Sequence, residues 1–256
     1  MITRFKELLY TDFDGNSTTD LVLYKAFDDP RHAERVPGLV ELMNDSAAPE
    51  MERFIACMTL TTWAEPAGYE AVMRATADPE KTPWYAFSVD RKFSVDSTFS
   101  QLALAVENSC NLSDEKGTDE QRQQAFRSLV RLADSQYFED RLGELFDDEF
   151  LMVALDDIKD VIGRGVHSLA SGEKQRFDLA TQLVDLSTAV AMVDGRLAVE
   201  LAMSVLNVSA SPRTLNHAVD IVYRGEGPEV RQFAEYLTTV GDEEVRRQVR
   251  EALNES

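Results

Sequence analysis

Pro228-Glu229-Val230-Arg231-Gln232-Phe233-Ala234-Glu235-Tyr236-Leu237 is followed by Gly241-Asp242 and then by Val245-Arg246-Arg247-Gln248-Val249-Arg250-Glu251-Ala252-Leu253. Val230, Phe233, Ala234 and Leu237 stand at i, i+3, i+4 and i+7. At 3.6 residues per turn they paint one stripe on a helix, and an apolar stripe must be buried against a neighbour. Pro228 opens this helix where its missing N–H costs nothing, and Gly241 closes it. A second amphipathic helix follows within a few residues, so the stretch reads as a helix hairpin.

The same rhythm extends toward the N-terminus. Val36, Leu39, Val40 and Met43 form one stripe; Met51, Phe54, Ile55 and Met58 form another. Tyr69, Val72 and Met73 mark a short helix. Phe126, Leu129, Val130 and Ala133 repeat the pattern, as do Leu151, Ala154, Leu155 and Ile158. Ser211-Pro212 is an N-cap followed by proline at the first helical position, and Thr118-Asp119-Glu120-Gln121 is a capping box. Gly225 is expected to be a left-handed C-terminal residue. The helices are expected to run about 10 to 17 residues with short connections. Irregular segments are expected at 11–18, 79–94 and 111–117, and Trp84-Tyr85-Ala86-Phe87-Ser88-Val89 is the best strand candidate. One short strand without a partner makes no stable sheet.

Internal similarity accompanies the rhythm. Pro49-Glu50-Met51-Glu52-Arg53-Phe54-Ile55-Ala56-Cys57-Met58-Thr59 matches residues 228–238 at every apolar position and shares the Pro-Glu start. The C-terminal stretch resembles a HEAT-type repeat: an acidic start, a Val-Arg pair, an alanine-and-leucine helix, a Gly-Asp turn and a second helix. Residues 46–76 look like a diverged copy. The resemblance implies an all-α fold, an α-solenoid of antiparallel helix pairs, whose concave face binds other proteins. No linker divides the chain, so a single helical-repeat domain over 1–256 is expected, with a candidate bend at Gly163-Arg164-Gly165 and Ser171-Gly172, near 163–172.

Composition bounds the partners. Acids outnumber bases 46 to 26, a formal charge of −20. That argues against nucleic acid, whose binding needs Lys and Arg gathered on one face, and against anionic membranes. A negative field favours encounter with a basic partner, and it also simply keeps a protein soluble. Cys57 reads as a small core residue, Cys110 sits near the end of a helical segment, and a disulfide between them is neither required nor excluded. No signal-peptide or membrane-spanning run is present, so the expected compartment is the cytoplasm.

Catalytic patterns are sparse. Leu8-Leu9-Tyr10-Thr11-Asp12-Phe13-Asp14-Gly15 resembles the first motif of the haloacid-dehalogenase phosphatases. There an apolar strand presents one carboxylate as nucleophile and a second as acid/base beside Mg²⁺. Asn16 stands where that family has Thr, and alternating strands and helices are missing. Asp156, Asp157 and Asp160 faintly echo the family's last acidic motif, and Asp156 and Asp160 also read as solvent-side helix positions. As a calcium loop the segment fails, with Ser17 and Leu23 in place of the required Gly and Glu. His32, His167 and His217 lack metal-pair spacing. No enzyme activity, cofactor or metal is therefore expected, with Asp12 and Asp14 as the phosphohydrolase alternative.

Binding candidates come from two groups. Trp63, Trp84 and Tyr85 belong to an aromatic cluster that suits either a binding hot spot or core filling. The carboxylates Asp147, Asp148, Glu149, Asp156, Asp157 and Asp160 suit either helix capping or a basic partner. The expectation is a protein-binding module, most concretely an immunity protein that neutralises a basic toxin domain. The alternative is a scaffold or adaptor subunit of a larger assembly.

Overall fold

The computed structural model describes residues 2–17, 22–27, 29–85, 87–90, 95–139 and 141–255, without the side chains of 2–4, 25–27, 89, 90, 148, 149 and 255. The described chain is all-helical, save for an antiparallel ladder of β1 (Val89–Asp90) with β2 (Val95–Asp96) and an isolated bridge between Thr11 and Ser17. The expected strand thus begins only at Val89 and does find a partner, while Trp84 and Tyr85 lie in a turn. Two compact units are present, Met1–Leu129 and Val130–Ser256.

The first unit holds α1 (Ile2–Leu9), α2 (His32–Asn44), α3 (Glu50–Thr62), α4 (Pro66–Ala77), α5 (Thr98–Glu107), α6 (Cys110–Lys116) and α7 (Asp119–Val130). Helix α3 is central, packed by α1, α2, α4 and α5. Its sequence explains this position: Phe54, Ile55, Ala56, Cys57 and Leu60 cover more than one face and are all buried. Tyr69, Phe99, Leu102 and Phe126 complete the core. The expected irregular segment 111–117 is helical instead, since α6 occupies most of it and ends at Gly117 in the left-handed region (φ 65°).

The second unit begins with an irregular stretch, 131–147 (described save for residue 140), containing a 3-10 turn at Leu142–Leu145. There follow α8 (Asp148–Ser171), α9 (Leu179–Val190), α10 (Gly195–Leu206), α11 (Pro212–Ala218), α12 (Asp220–Arg224), α13 (Pro228–Val240) and α14 (Glu243–Glu255). Every residue of α9 is buried, enclosed by α8, α10, α11, α12 and the 3-10 turn. A helix apolar on all sides belongs in a core, and Leu-Ala-Thr-Gln-Leu-Val-Asp-Leu-Ser-Thr-Ala-Val comes close to that. Its buried polar groups are matched. Gln182 accepts from Phe138 N (2.7 Å) and donates to Ala133 O (2.7 Å) and Gln136 O (2.8 Å). Asp185 accepts from Gly143 N at 2.9 Å.

Helix punctuation follows the sequence in part: at the expected capping box before α7, the Thr118 hydroxyl instead donates to Ala64 O at 3.1 Å. Ser211 accepts from Thr214 N at 3.1 Å with Pro212 at the first helical position, and Pro228 opens α13. Gly225, expected left-handed, is extended (φ −103°). It is needed for space: a Cβ there would lie 2.9 Å from Ile221 O. Gly163 and Gly165 fall inside α8, which runs unbroken for 24 residues to Gly172 (φ 74°). A Cβ on Gly165 would sit 2.5 Å from Leu183 Cδ1, so this glycine lets α9 approach α8 closely.

Candidate functional site

Helix α8 carries most of the expected acidic residues. Asp147 caps it, accepting from Phe150 N at 2.7 Å. The side chains of Asp148 and Glu149 lie outside the described residues. Phe150, Leu151, Ala154, Ile158, Val161 and Ile162 are buried, which leaves the opposite face to solvent. Met152 is 63% exposed there, and the Asp156 side chain is 94% exposed one turn later. Asp160 continues the row at i+4, followed by Gly163 and His167.

The three aspartates of this helix have different surroundings. Asp157 is mostly covered and accepts from Arg131 Nε at 2.8 Å. Asp156 pairs with Lys159 at 3.3 Å, and Asp160 pairs with Arg164. Arg164 also donates to Asp134 Oδ2 at 2.7 Å and to Arg131 O at 2.8 Å. Its hydrogen bond to Asp134 holds the guanidinium above its usual range. Asp157, Arg131, Arg164 and Asp134 together pin the start of the 131–147 stretch onto α8. Asp156 and Asp160 remain on the outer face, in exposed pairs that bind weakly in water.

The aromatic candidates serve the first unit's core. Trp63 is fully buried, and its Nε1–H donates to Leu23 O at 2.8 Å. Its ring meets His32 edge-on, with centroids 5.2 Å apart. Trp84 is buried against Phe54, and Tyr85 is half-buried beside it in the chain. Trp63 and Trp84 therefore have separate neighbours, and core filling accounts for both.

The turn carrying Asp12 and Asp14 is held by its own carboxylate. Asp12 Oδ1 accepts from Asp14 N (3.0 Å) and Asn16 N (2.7 Å), and Oδ2 accepts from Asn16 Nδ2 (3.1 Å). Arg35 donates to Thr11 O at 2.6 Å and Asp12 O at 2.7 Å, with Phe13 stacked 4.4 Å from its guanidinium. Asp14 pairs with Arg31 at 3.0 Å. Leu8 and Leu9 end a helix where the phosphatase motif calls for a strand. Among the described residues, no group of three or more His, Cys, Asp and Glu could hold a metal ion.

Both cysteines are free; Cys57 is buried and Cys110, at the start of α6, is exposed. His32 is buried beside Lys116, whose Nζ donates to His32 Nε2 (3.0 Å), Trp63 O (2.7 Å) and Glu65 Oε1 (2.6 Å). An ammonium only donates, so the His32 proton sits on Nδ1, facing Asp29 O at 2.9 Å. Among the described residues, no helix is long and apolar enough to cross a membrane. One feature escapes sequence reading: a cleft in the first unit edged by Arg53, Arg74 and Lys81, cations scattered over nearly thirty positions. No protein-family model matches the chain, and neither the curated proteins nor the solved structures yield a match.

Proposed function

We propose that this chain is a protein-binding module, built as a HEAT-like α-solenoid of antiparallel helix pairs, that docks a basic protein without catalysing a reaction. Its most concrete role is that of an immunity protein that neutralises a basic toxin domain. The observation that supports this reading is the outer face of α8, in a chain of net charge −20. There Met152 offers an exposed apolar contact in line with Asp156 and Asp160. The exposed Lys159 and Arg164 pairings are weak enough for a partner's cations to displace. The chain's overall negative field would speed the encounter.

The test is co-expression with the product of the neighbouring gene, followed by affinity capture and a toxicity assay. A stable, salt-sensitive complex that abolishes toxicity is expected. Asp156→Lys with Asp160→Lys should weaken it about tenfold, mainly through slower association. A neighbour that is neither toxic nor bound sinks the immunity role. Subunits of a larger assembly in the captured material would put the scaffold reading in its place.

A further inference from the structure

A cleft of about 260 Å³ opens in the first unit where α2 and α4 end. Met43 and Asn44 close α2 on one side, Ala71 and Ala75 of α4 form another wall, and Trp84 comes from the turn beyond. Three cations, Arg53, Arg74 and Lys81, line it against one carboxylate, Asp78. In a chain of net charge −20 this is a local reversal of sign.

The cations are unequally engaged. Lys81 is matched by Asp78 at 2.6 Å. Arg74 meets Glu70 only at 3.7 Å, with both side chains over half exposed. Arg53 donates from Nε to Met43 O at 3.2 Å, which anchors its guanidinium at one point. Among the described residues, its two terminal nitrogens have no hydrogen-bond partner. An anchored guanidinium with a vacant fork suits a planar or tetrahedral oxyanion. Trp84 adds a second observation. Its buried Nε1–H is one of three buried side-chain groups left without a partner among the described residues. A buried donor without an acceptor is costly, and Trp84 lines the same cleft.

We propose that this cleft binds a small organic anion, with a carboxylate or phosphate monoester on Arg53 and Arg74 and an apolar body against Met43, Ala75 and Trp84. The volume admits a fragment-sized ligand and no more, since drug-sized pockets start near 300 Å³. This site shares no residue with the α8 face, so neither reading depends on the other.

Phenyl phosphate and benzoate are the probes, with inorganic phosphate and benzamide for comparison. Binding is read by calorimetry and by tryptophan emission, to which Trp84 contributes from within the cleft. Saturable binding of phenyl phosphate or benzoate in the millimolar range or tighter is expected. It should exceed that of either comparison compound and weaken with added salt. Whichever probe binds more tightly identifies the oxyanion. Arg74→Gln, an exposed change that leaves the fold intact, should weaken binding about tenfold, and Arg53→Gln at least as much. Trp84→Phe should abolish the emission change while the calorimetric signal persists. The proposal is overturned if neither anion saturates, or if Arg74→Gln binds as the native chain does. It is equally overturned if Arg53→Gln and Arg74→Gln lower only the melting temperature, because the cations would then serve the helix C-termini alone.

Discussion

In the unit before Val130, irregular backbone is held by cations that reach carbonyl oxygens. Arg35 serves the turn after α1, Lys116 the turn after α3, and Arg122 the end of α5 through Val106 O at 3.1 Å. In the unit after Leu129, Arg164 and Arg224 also reach carbonyls of the long 131–147 stretch, at Arg131 O and Gly143 O, but its middle is held from within as well, by Gln182 and Asp185 of the enclosed helix α9. The first device uses long side chains that keep part of their charge near water. The second uses short polar groups that are fully desolvated, so each bond made there has no water to replace it. The two units should therefore respond differently to the same kind of damage.

The largest effect is expected at Gln182. Gln182→Leu keeps the apolar volume and orphans Phe138 N–H and two carbonyls at once, which should destabilise the second unit by about 4 kcal/mol. Urea denaturation measures this, and the loss should not change with salt. A loss under about 1 kcal/mol would break the contrast, because water would then be reaching the site. Next comes Lys116→Met, which strips Trp63 O and leaves Glu65 without its cation. It should cost about 2 kcal/mol, partly recovered by adding Glu65→Gln.

Thiol chemistry sharpens that second measurement, since both cysteines lie in the first unit. Burial pushes the Cys57 thiol up to about 12. In the native chain an aromatic disulfide reagent should therefore label Cys110 quickly and Cys57 only on opening. Lys116→Met should speed Cys57 labelling about thirtyfold, the factor matching its loss of stability. Arg35→Lys keeps the charge and loses the planar fork, and a smaller cost of about 1 kcal/mol is expected. Proteolysis within 11–17 before global unfolding would report it.

The smallest effect is a pH slope in the second unit. Burial pushes His217 below its ordinary value of 6.5. The unfolded chain then binds the proton more readily, so this contribution is complete above about pH 6.5 and is lost as pH falls further. Burial raises Asp220 above its ordinary 3.8, with the opposite sign: there stability is lost as pH rises through that lower window. His217→Asn should flatten the melting-temperature profile below about pH 6.5.

What the sequence could reveal follows the same division. Stripes such as Val230, Phe233, Ala234 and Leu237 predict helices well because one face is buried and the other wet. Helix α9 has no wet face, so it shows no stripe, although it organises the second unit. The 131–147 stretch escapes for a related reason. It is held by Gln182 and Asp185, more than forty residues away, and no local pattern encodes that separation. On α8 the positions of Asp156 and Asp160 were readable from spacing, whereas the covering of Asp157 by Arg131 was not. Trp63 and Trp84 suited a surface or a core equally well in sequence, and only packing separates the two.

The enclosure of α9 also provides a clock. Its amides are hydrogen-bonded and sheltered on every side, so they can exchange with deuterium only when the second unit comes apart. Helix α14 exposes Arg246, Arg247, Arg250 and Glu251 and can fray from its end, so its amides should exchange by local motion. The slowest peptide in such an experiment, spanning Leu179 to Val190, would time the opening of its unit directly, with no label and no added probe.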